Sequence, residues 1–174
     1  MNNQDEVNLL VNKFKNGDDE AFVLLTNYTK EPLYKTIYAI VGNQANAIEV
    51  FDEVIYKAYI NLKNLKHNEF FKTWITRIAI NESKNYLKKN SKIIYMEEYQ
   101  EKAKTEEYEG KMDIEQAMSK LDVNTKSIVI MKLYMDYTFD DIANTMSKPV
   151  STVKSTYYAG LEKLKKYLKV GEVN

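Results

Sequence analysis

"TFDDIANTMSKPVSTVKSTYYAGLEKLKKYL", residues 138–168, carries an apolar helical rhythm that breaks once, at Ser147-Lys148-Pro149, and then resumes. Before the break, Phe139, Ile142, Ala143 and Met146 fall on one side of a helix,. Thr138 is placed to cap that helix through its hydroxyl, with Asp141 three residues on to satisfy a second amide,. After the break, Val150, Val153, Tyr157, Gly160/Leu161 and Leu164 form the next apolar stripe, and Pro149 suits a helix start because it has no N–H to lose,. The opposite side of this second helix carries Ser151, Thr152, Lys154, Ser155 and Tyr158. Short hydroxyls and one long cation near a helix N-terminus fit the major groove of DNA, where they reach base edges and phosphates. Lys163, Lys165, Lys166 and Lys169 lie behind them, along the path of a backbone. A helical hairpin with a merely solvated side fits this stretch equally well, so the pattern needs support from elsewhere in the chain.

The rest of the composition narrows the possibilities. The chain has 174 residues, 44% hydrophobic and 29% charged, which suits a folded chain of one domain or two small ones,. It has no Cys and one His, His67, so disulfides, thiolate metal sites and His-based acid–base chemistry are not expected, and no cofactor is predicted,. The first residues, "MNNQDEVNLL", lack the basic flank and apolar core of a signal peptide, and no apolar run is long enough to span a bilayer,. A cytoplasmic protein without direct membrane insertion is the expectation. The formal net charge is zero. That argues against a protein that coats nucleic acid indiscriminately, while local basic clusters at Arg77–Lys92 and Lys148–Lys169 leave specific binding open,.

With five Gly, two Pro and a period near 3.6 almost throughout, the chain reads as all-α,. The pattern predicts helices over about 5–16, 19–41, 44–64 and 68–89, with Pro32 a kink or break in the second and Gly42 its C-cap,. In the third helix Ile48, Phe51, Ile55, Ala58, Tyr59 and Leu62 are the expected core. In the fourth the core is Phe71, Trp74, Ile75, Ile78 and Ala79. Residues 92–110 hold Lys92, Lys102 and Lys104 against six glutamates and have weaker periodicity, so they are the candidate linker. Shorter helices follow over about 112–121, 125–135, 138–146 and 150–169. Two helical modules, 1–91 and 111–174, on a tether is the simplest organisation.

The fourth helix, "FFKTWITRIAINESKNYLKKN" at 70–90, strengthens the nucleic-acid reading. Trp74, Arg77, Asn81, Lys84 and Lys88 are spaced three, four, three and four apart and so share one side,. An aromatic, an amide and a run of cations can follow a phosphate track while stacking on and bonding to exposed bases. Trp74 taken alone reads as core.

The whole chain resembles the bacterial sigma factors of the extracytoplasmic-function (ECF) group. Four stretches carry the resemblance in the family's order: "NGDDEAFVLLTNY" at 16–28, "ANAIEVFDEVIYKAYINL" at 45–62, the Trp-x-x-Arg-Ile-Ala-x-Asn helix within 70–89, and the helix-turn-helix within 127–166 with Thr-Val-Lys-Ser at 152–155. The resemblance implies an N-terminal module that docks on RNA polymerase core and opens the minus-ten element. It implies core binding through the third helix, where Glu49, Asp52 and Glu53 are exposed candidates. The loop around 65–69 would hold a flipped base, with His67 and Asn68 as lining, and extruding a base costs a few kcal/mol that a pocket must offset. Arg77, Asn81 and Lys84 would then follow the strand, while the Ser151–Tyr158 side reads the minus-thirty-five element. An anti-sigma factor, often membrane-anchored in the family, is the further implied partner. This chain departs from the family pattern at Ser147, where Gly is usual, and at Thr156, Ala159 and Leu161, where arginines are common. Asn85, Ile48 and Asp52 also replace residues more usual in the family.

Two other readings compete. A regulator using the C-terminal helix-turn-helix alone would not need the Trp74–Lys88 side. An enzyme would need a phosphate loop, a nucleophile with its base or a metal-ligand spacing, and none of these is found in the sequence; Glu97, Glu98 and Glu101 fit an acidic linker,.

Overall fold

The computed structural model describes residues 3–97 and 114–169, and every element among them is helical. In the N-terminal part α1 spans Asn3–Lys15, α2 Asp19–Val41, α3 Gln44–Asn61 and α4 Phe71–Glu97, with one-turn 3₁₀ segments at Leu62–Asn64 and Asn68–Phe70 between the last two. In the C-terminal part α5 spans Ile114–Ser119, α6 Val123–Leu133, α7 Phe139–Met146 and α8 Val150–Lys169. Helix α4 therefore continues to Glu97, into the segment expected to be linker; most of that segment lies outside the described residues.

Local chemistry sets the helix ends. The Asp18 carboxylate accepts the N–H of Ala21 at 3.2 Å and starts α2. Gly42 ends it in the left-handed region at φ 73°, its N–H donating to the Tyr38 carbonyl at 2.7 Å,. Pro32 does not break this helix: α2 runs through it as one element, packed against α1, α3 and α4 along its length. Tertiary packing outweighs the missing amide bond, whose local cost is about 3 kcal/mol.

Two apolar cores form. The first gathers Phe14, Leu25, Leu33, Ile37, Val54, Phe71 and Ile75 from α1–α4 and Leu62 from the 3₁₀ segment after α3. The second gathers Leu121, Ile128, Met131, Ile142, Val153, Tyr157 and Leu164 around the helix-turn-helix, and it also takes in Ile40 of α2 and Ile80 of α4. Burying each such side chain stabilises by about 1.5–3 kcal/mol. The two modules are thus not simply tethered; they are pressed together. The Thr76 and Tyr137 hydroxyls lie 2.9 Å apart across the boundary, and Thr36 Oγ1 meets Met135 Sδ at 3.5 Å.

Helix α3 corrects one expectation. Its buried residues are Ala47, Val50, Val54 and Ala58, whereas Ile48 and Tyr59, expected inside, are exposed. The helix is apolar on more than one side, so periodicity alone does not choose the inward stripe. The smaller Ala47, Val50, Val54 and Ala58 take the place against α2 and α4, and the bulkier Ile48, Tyr56, Tyr59 and Ile60 are left outside.

Candidate nucleic-acid and polymerase interfaces

The helix-turn-helix is built from the residues that its sequence pattern singles out. Thr138 and Asp141 form a reciprocal capping box: the Thr138 hydroxyl accepts the Asp141 N–H at 3.1 Å, and the Asp141 carboxylate accepts the Thr138 N–H at 3.0 Å,. At the turn Ser147 takes the left-handed conformation, φ 52° and ψ 48°, which glycine adopts without strain,. Ile142 and Val153 are fully buried, so α7 and α8 are locked at a fixed angle by their apolar sides. Gly160 permits the close approach of α8 to α6: a Cβ there would stand 2.7 Å from Thr125 Cγ2 and 3.1 Å from Val129 Cγ2.

That packing turns Ser151, Thr152, Lys154, Ser155 and Tyr158 outward, and all five are exposed. Lys154 Nζ sits 5.6 Å from the centre of the Phe139 ring, and the Tyr158 ring centre lies 6.3 Å from that ring's, so the aromatic base orients both side chains,. The Ser155 hydroxyl donates to the Thr152 carbonyl at 3.0 Å.

On α4 the five spaced residues share one side, but their surroundings differ. Trp74 is half-buried against the first core, and Asn81 is exposed. With Ile78 and Glu82 of the same helix and Lys57, Asn61 and Asn64 across from it, they line a groove of about 320 Å³. Lys57 is pinned by carboxylates, 2.7 Å from Glu82 and 3.2 Å from Glu53, and its pKa is raised mainly by the Glu82 hydrogen bond. Arg77 turns towards α7: its Nε donates to the Thr145 carbonyl at 3.1 Å, and its Nη2 donates to the Asn144 carbonyl. Lys84 is half-buried beside Lys148; burial first, and the neighbouring cation second, lower its pKa,. Lys88 is exposed.

The loop before α4 is braced on α1. Asn68 donates to Asn12 Oδ1 at 2.6 Å and accepts from Lys15 Nζ at 2.7 Å, and Lys15 also donates to the Leu65 carbonyl. Asn68 therefore shapes the loop with its side chain. His67 is exposed, with Nδ1 3.5 Å from the Glu69 carboxylate and its ring 6.0 Å from that of Phe70. On the outer side of α3, Glu49, Asp52 and Glu53 are all exposed, and the displaced Ile48, Tyr56, Tyr59 and Ile60 lie among them. Sequence reasoning picked the carboxylates of this surface and missed its apolar half, along with Lys57 and Asn61 in the α3–α4 groove. The i, i+4 spacing of Lys57 and Asn61 was a usable signal only if α3 was already known to face α4.

Comparison with known proteins places the fold. The family model for Sigma-70 region 2 matches residues 25–93, and that for Sigma-70 region 4 matches residues 111–164. The chain is 26% identical over 177 residues to the ECF RNA polymerase sigma factor SigW of Bacillus subtilis, covering 91% of this chain and 95% of that protein. The chain belongs to the ECF sigma factors. Another similar protein is the ECF sigma-E factor of Escherichia coli, 33% identical over 79 residues, 45% of this chain and 41% of that one. Among solved structures, CnrH in complex with the cytosolic domain of CnrY has a TM-score of 0.74 at 14% identity, covering 94% of this chain and 97% of that one. RpoE of Bartonella quintana, in complex with the anti-sigma factor NepR, has a TM-score of 0.68 at 16% identity, covering 83% and 98%. This sigma factor directs promoter-specific initiation of transcription through its region 2 and region 4 modules. The match of region 2 to the N-terminal helices disfavours a stand-alone helix-turn-helix regulator, which would not use them. Among the described residues no helix is long and apolar enough to cross a membrane.

Proposed function

We propose that the two modules divide promoter recognition between single-stranded and duplex DNA. The α4 side with Trp74, Arg77, Asn81, Lys84 and Lys88 holds one strand of the opened minus-ten element, with His67 and Asn68 contributing to the loop that receives a flipped base. The exposed Ser151, Thr152, Lys154, Ser155 and Tyr158 of α8 enter the major groove of the minus-thirty-five element. One observation carries this reading: the same chain holds an aromatic-amide-cation track with an adjoining groove on α4 and an exposed row of hydroxyls and a cation on α8. Stacking and phosphate contacts suit a strand, whereas small hydroxyls at a helix N-terminus suit an intact groove.

The outer side of α3 docks on polymerase core, its carboxylates meeting a basic surface while Ile48, Tyr56 and Ile60 supply apolar area,. An anti-sigma factor restrains the chain, supported by the likeness to the sigma factor RpoE, which was solved with the anti-sigma factor NepR. The family resemblance supports a membrane anchor on that partner and a cytoplasmic site of action.

The test is transcription in vitro on a pool of genomic templates, with start sites sequenced. Purified chain plus core polymerase produces a defined set of starts sharing two upstream elements, and the chain alone binds duplex weakly. Tight specific duplex binding by the free chain with no change in the polymerase's start sites would overturn the proposal.

A further inference from the structure

We propose that the cavity bordered by α2, α5, α6 and α8 is a binding site for a small amphipathic acid, one carboxylate on an aliphatic chain, with Lys126 as the cation that receives the carboxylate. The cavity shares no residue with the surfaces given above to DNA and polymerase core. It measures about 490 Å³. Small-molecule sites run from roughly 300 to 1,000 Å³. One stripe of α6 lines it: Lys126, Val129, Ile130 and Leu133 stand at i, i+3, i+4 and i+7, so all four share one side of the helix,. Lys126 is the first of the four and lies at one end, with apolar side chains along the rest. Across from them stands Ala39 of α2. The acid of the lining, Glu115 of α5, is exposed, so its charge stays in water.

Lys126 sets the chemistry of the ligand. Residues 125–131 of α6 are buried all round, and Lys126 is the charged side chain among them, only 7% exposed. Among the described residues its ammonium has no hydrogen bond or ion pair. The Asp122 carboxylate, one turn earlier, is taken up by the N–H groups of Asn124 and Thr125 at 3.1 and 3.0 Å and by the Thr125 hydroxyl at 2.6 Å. Burial lowers the pKa of Lys126, and the Asp122 charge offsets only part of that,. A buried cation in an apolar wall is costly until an anion meets it. One positive charge balances one carboxylate, whereas a phosphate monoester would bring further negative charge with nothing to meet it. The aliphatic tail lies along Val129, Ile130 and Leu133, where its own apolar surface leaves water,.

The test titrates decanoate, below its micellar concentration, into the full chain by isothermal calorimetry. Decanol and decyltrimethylammonium share the tail and carry no charge or the opposite one. Decanoate binds at a single saturable site and raises the melting temperature, and the ammonium compound does neither. Lys126→Met keeps the length and apolar contacts of the side chain and removes its charge. It weakens decanoate about tenfold or more and leaves decanol unaffected. Ala39→Phe, at a half-buried place in the wall, fills part of the cavity and weakens both compounds to a similar degree. This second variant decides the matter if circular dichroism shows Lys126→Met to have lost helix. Uptake of decanoate without saturation, equal affinity for decanoate and decanol, or unchanged affinity in a folded variant would overturn the proposal. So would a chain that sediments as a dimer and becomes monomeric with Ala39→Phe, because the cavity would then belong to a second copy.

Discussion

Helices α4 and α8 both present polar side chains suited to DNA, but α8 presents all five openly, while on α4 Arg77 donates to carbonyls of α7 and Lys84 is half-buried beside Lys148. The difference follows from what each side is made of. The α8 residues are mostly short hydroxyls that no protein surface needs to neutralise. Arg77 is a cation long enough to reach the last carbonyls of α7. A surface that recognises an intact groove can stay formed in the free chain; one that grips a phosphate track competes with every other source of acceptor oxygens, including the chain's own helix ends.

The largest effect expected is at Val153, which is fully buried behind the exposed polar side of α8. Val153→Asp buries an unpaired carboxylate and destabilises the C-terminal module by about 4 kcal/mol or more. The first core should survive, so amide exchange would show α1–α4 protected and α6–α8 not. Loss of protection in all helices together would mean that the two regions are one cooperative unit, breaking the comparison at its root. Gly160→Ala comes next. Alanine favours the helix by about 1 kcal/mol, but the 2.7 Å approach to Thr125 opposes it,. Overpacking at about 1–3 kcal/mol wins, and urea denaturation should show a net loss of stability.

On α4, replacing Asn81 and Lys84 together by Ala should reduce promoter opening about tenfold, roughly 1.4 kcal/mol in the barrier. Permanganate footprinting of the melted element measures this, and polymerase-core binding should be unchanged; an equal loss of core binding would move those residues to the wrong interface. Ser147→Gly removes a left-handed conformation from a residue with a Cβ and should raise the stability of the C-terminal module by about 1 kcal/mol without altering its DNA contacts,. The smallest effect belongs to Lys154. Its replacement by Ala should leave stability nearly unchanged and lower the salt dependence of promoter binding by about one ion, read from log Kd against log salt.

The helix boundaries were legible because they depend on local chemistry. Gly42, the Thr138–Asp141 box and the break at Ser147 each satisfy terminal N–H or C=O groups within a few residues, and the structure has all three as the pattern predicts. The outward side of α8 was legible for a similar reason: a helix with one clean apolar stripe has only one way to face a core. Helix α3 has no such clean stripe, and there the prediction failed at Ile48 and Tyr59. The α3–α4 groove lined by Lys57, Asn61 and Asn81 was not legible either, since no spacing within one helix says which neighbour it faces.

The order of residues alone therefore determined the all-α class, the helix-turn-helix and the two polar tracks, because a period of 3.6 and a capping side chain act over one or two turns. Only the tertiary structure decided that Ile40 and Ile80 leave the N-terminal core for the C-terminal one, and that Arg77 spends its donors on the carbonyls of α7. The two Arg77 contacts join residues 68 and 67 positions apart in the chain. They depend on how two separately patterned surfaces fit each other, and no local rule of sequence contains that information.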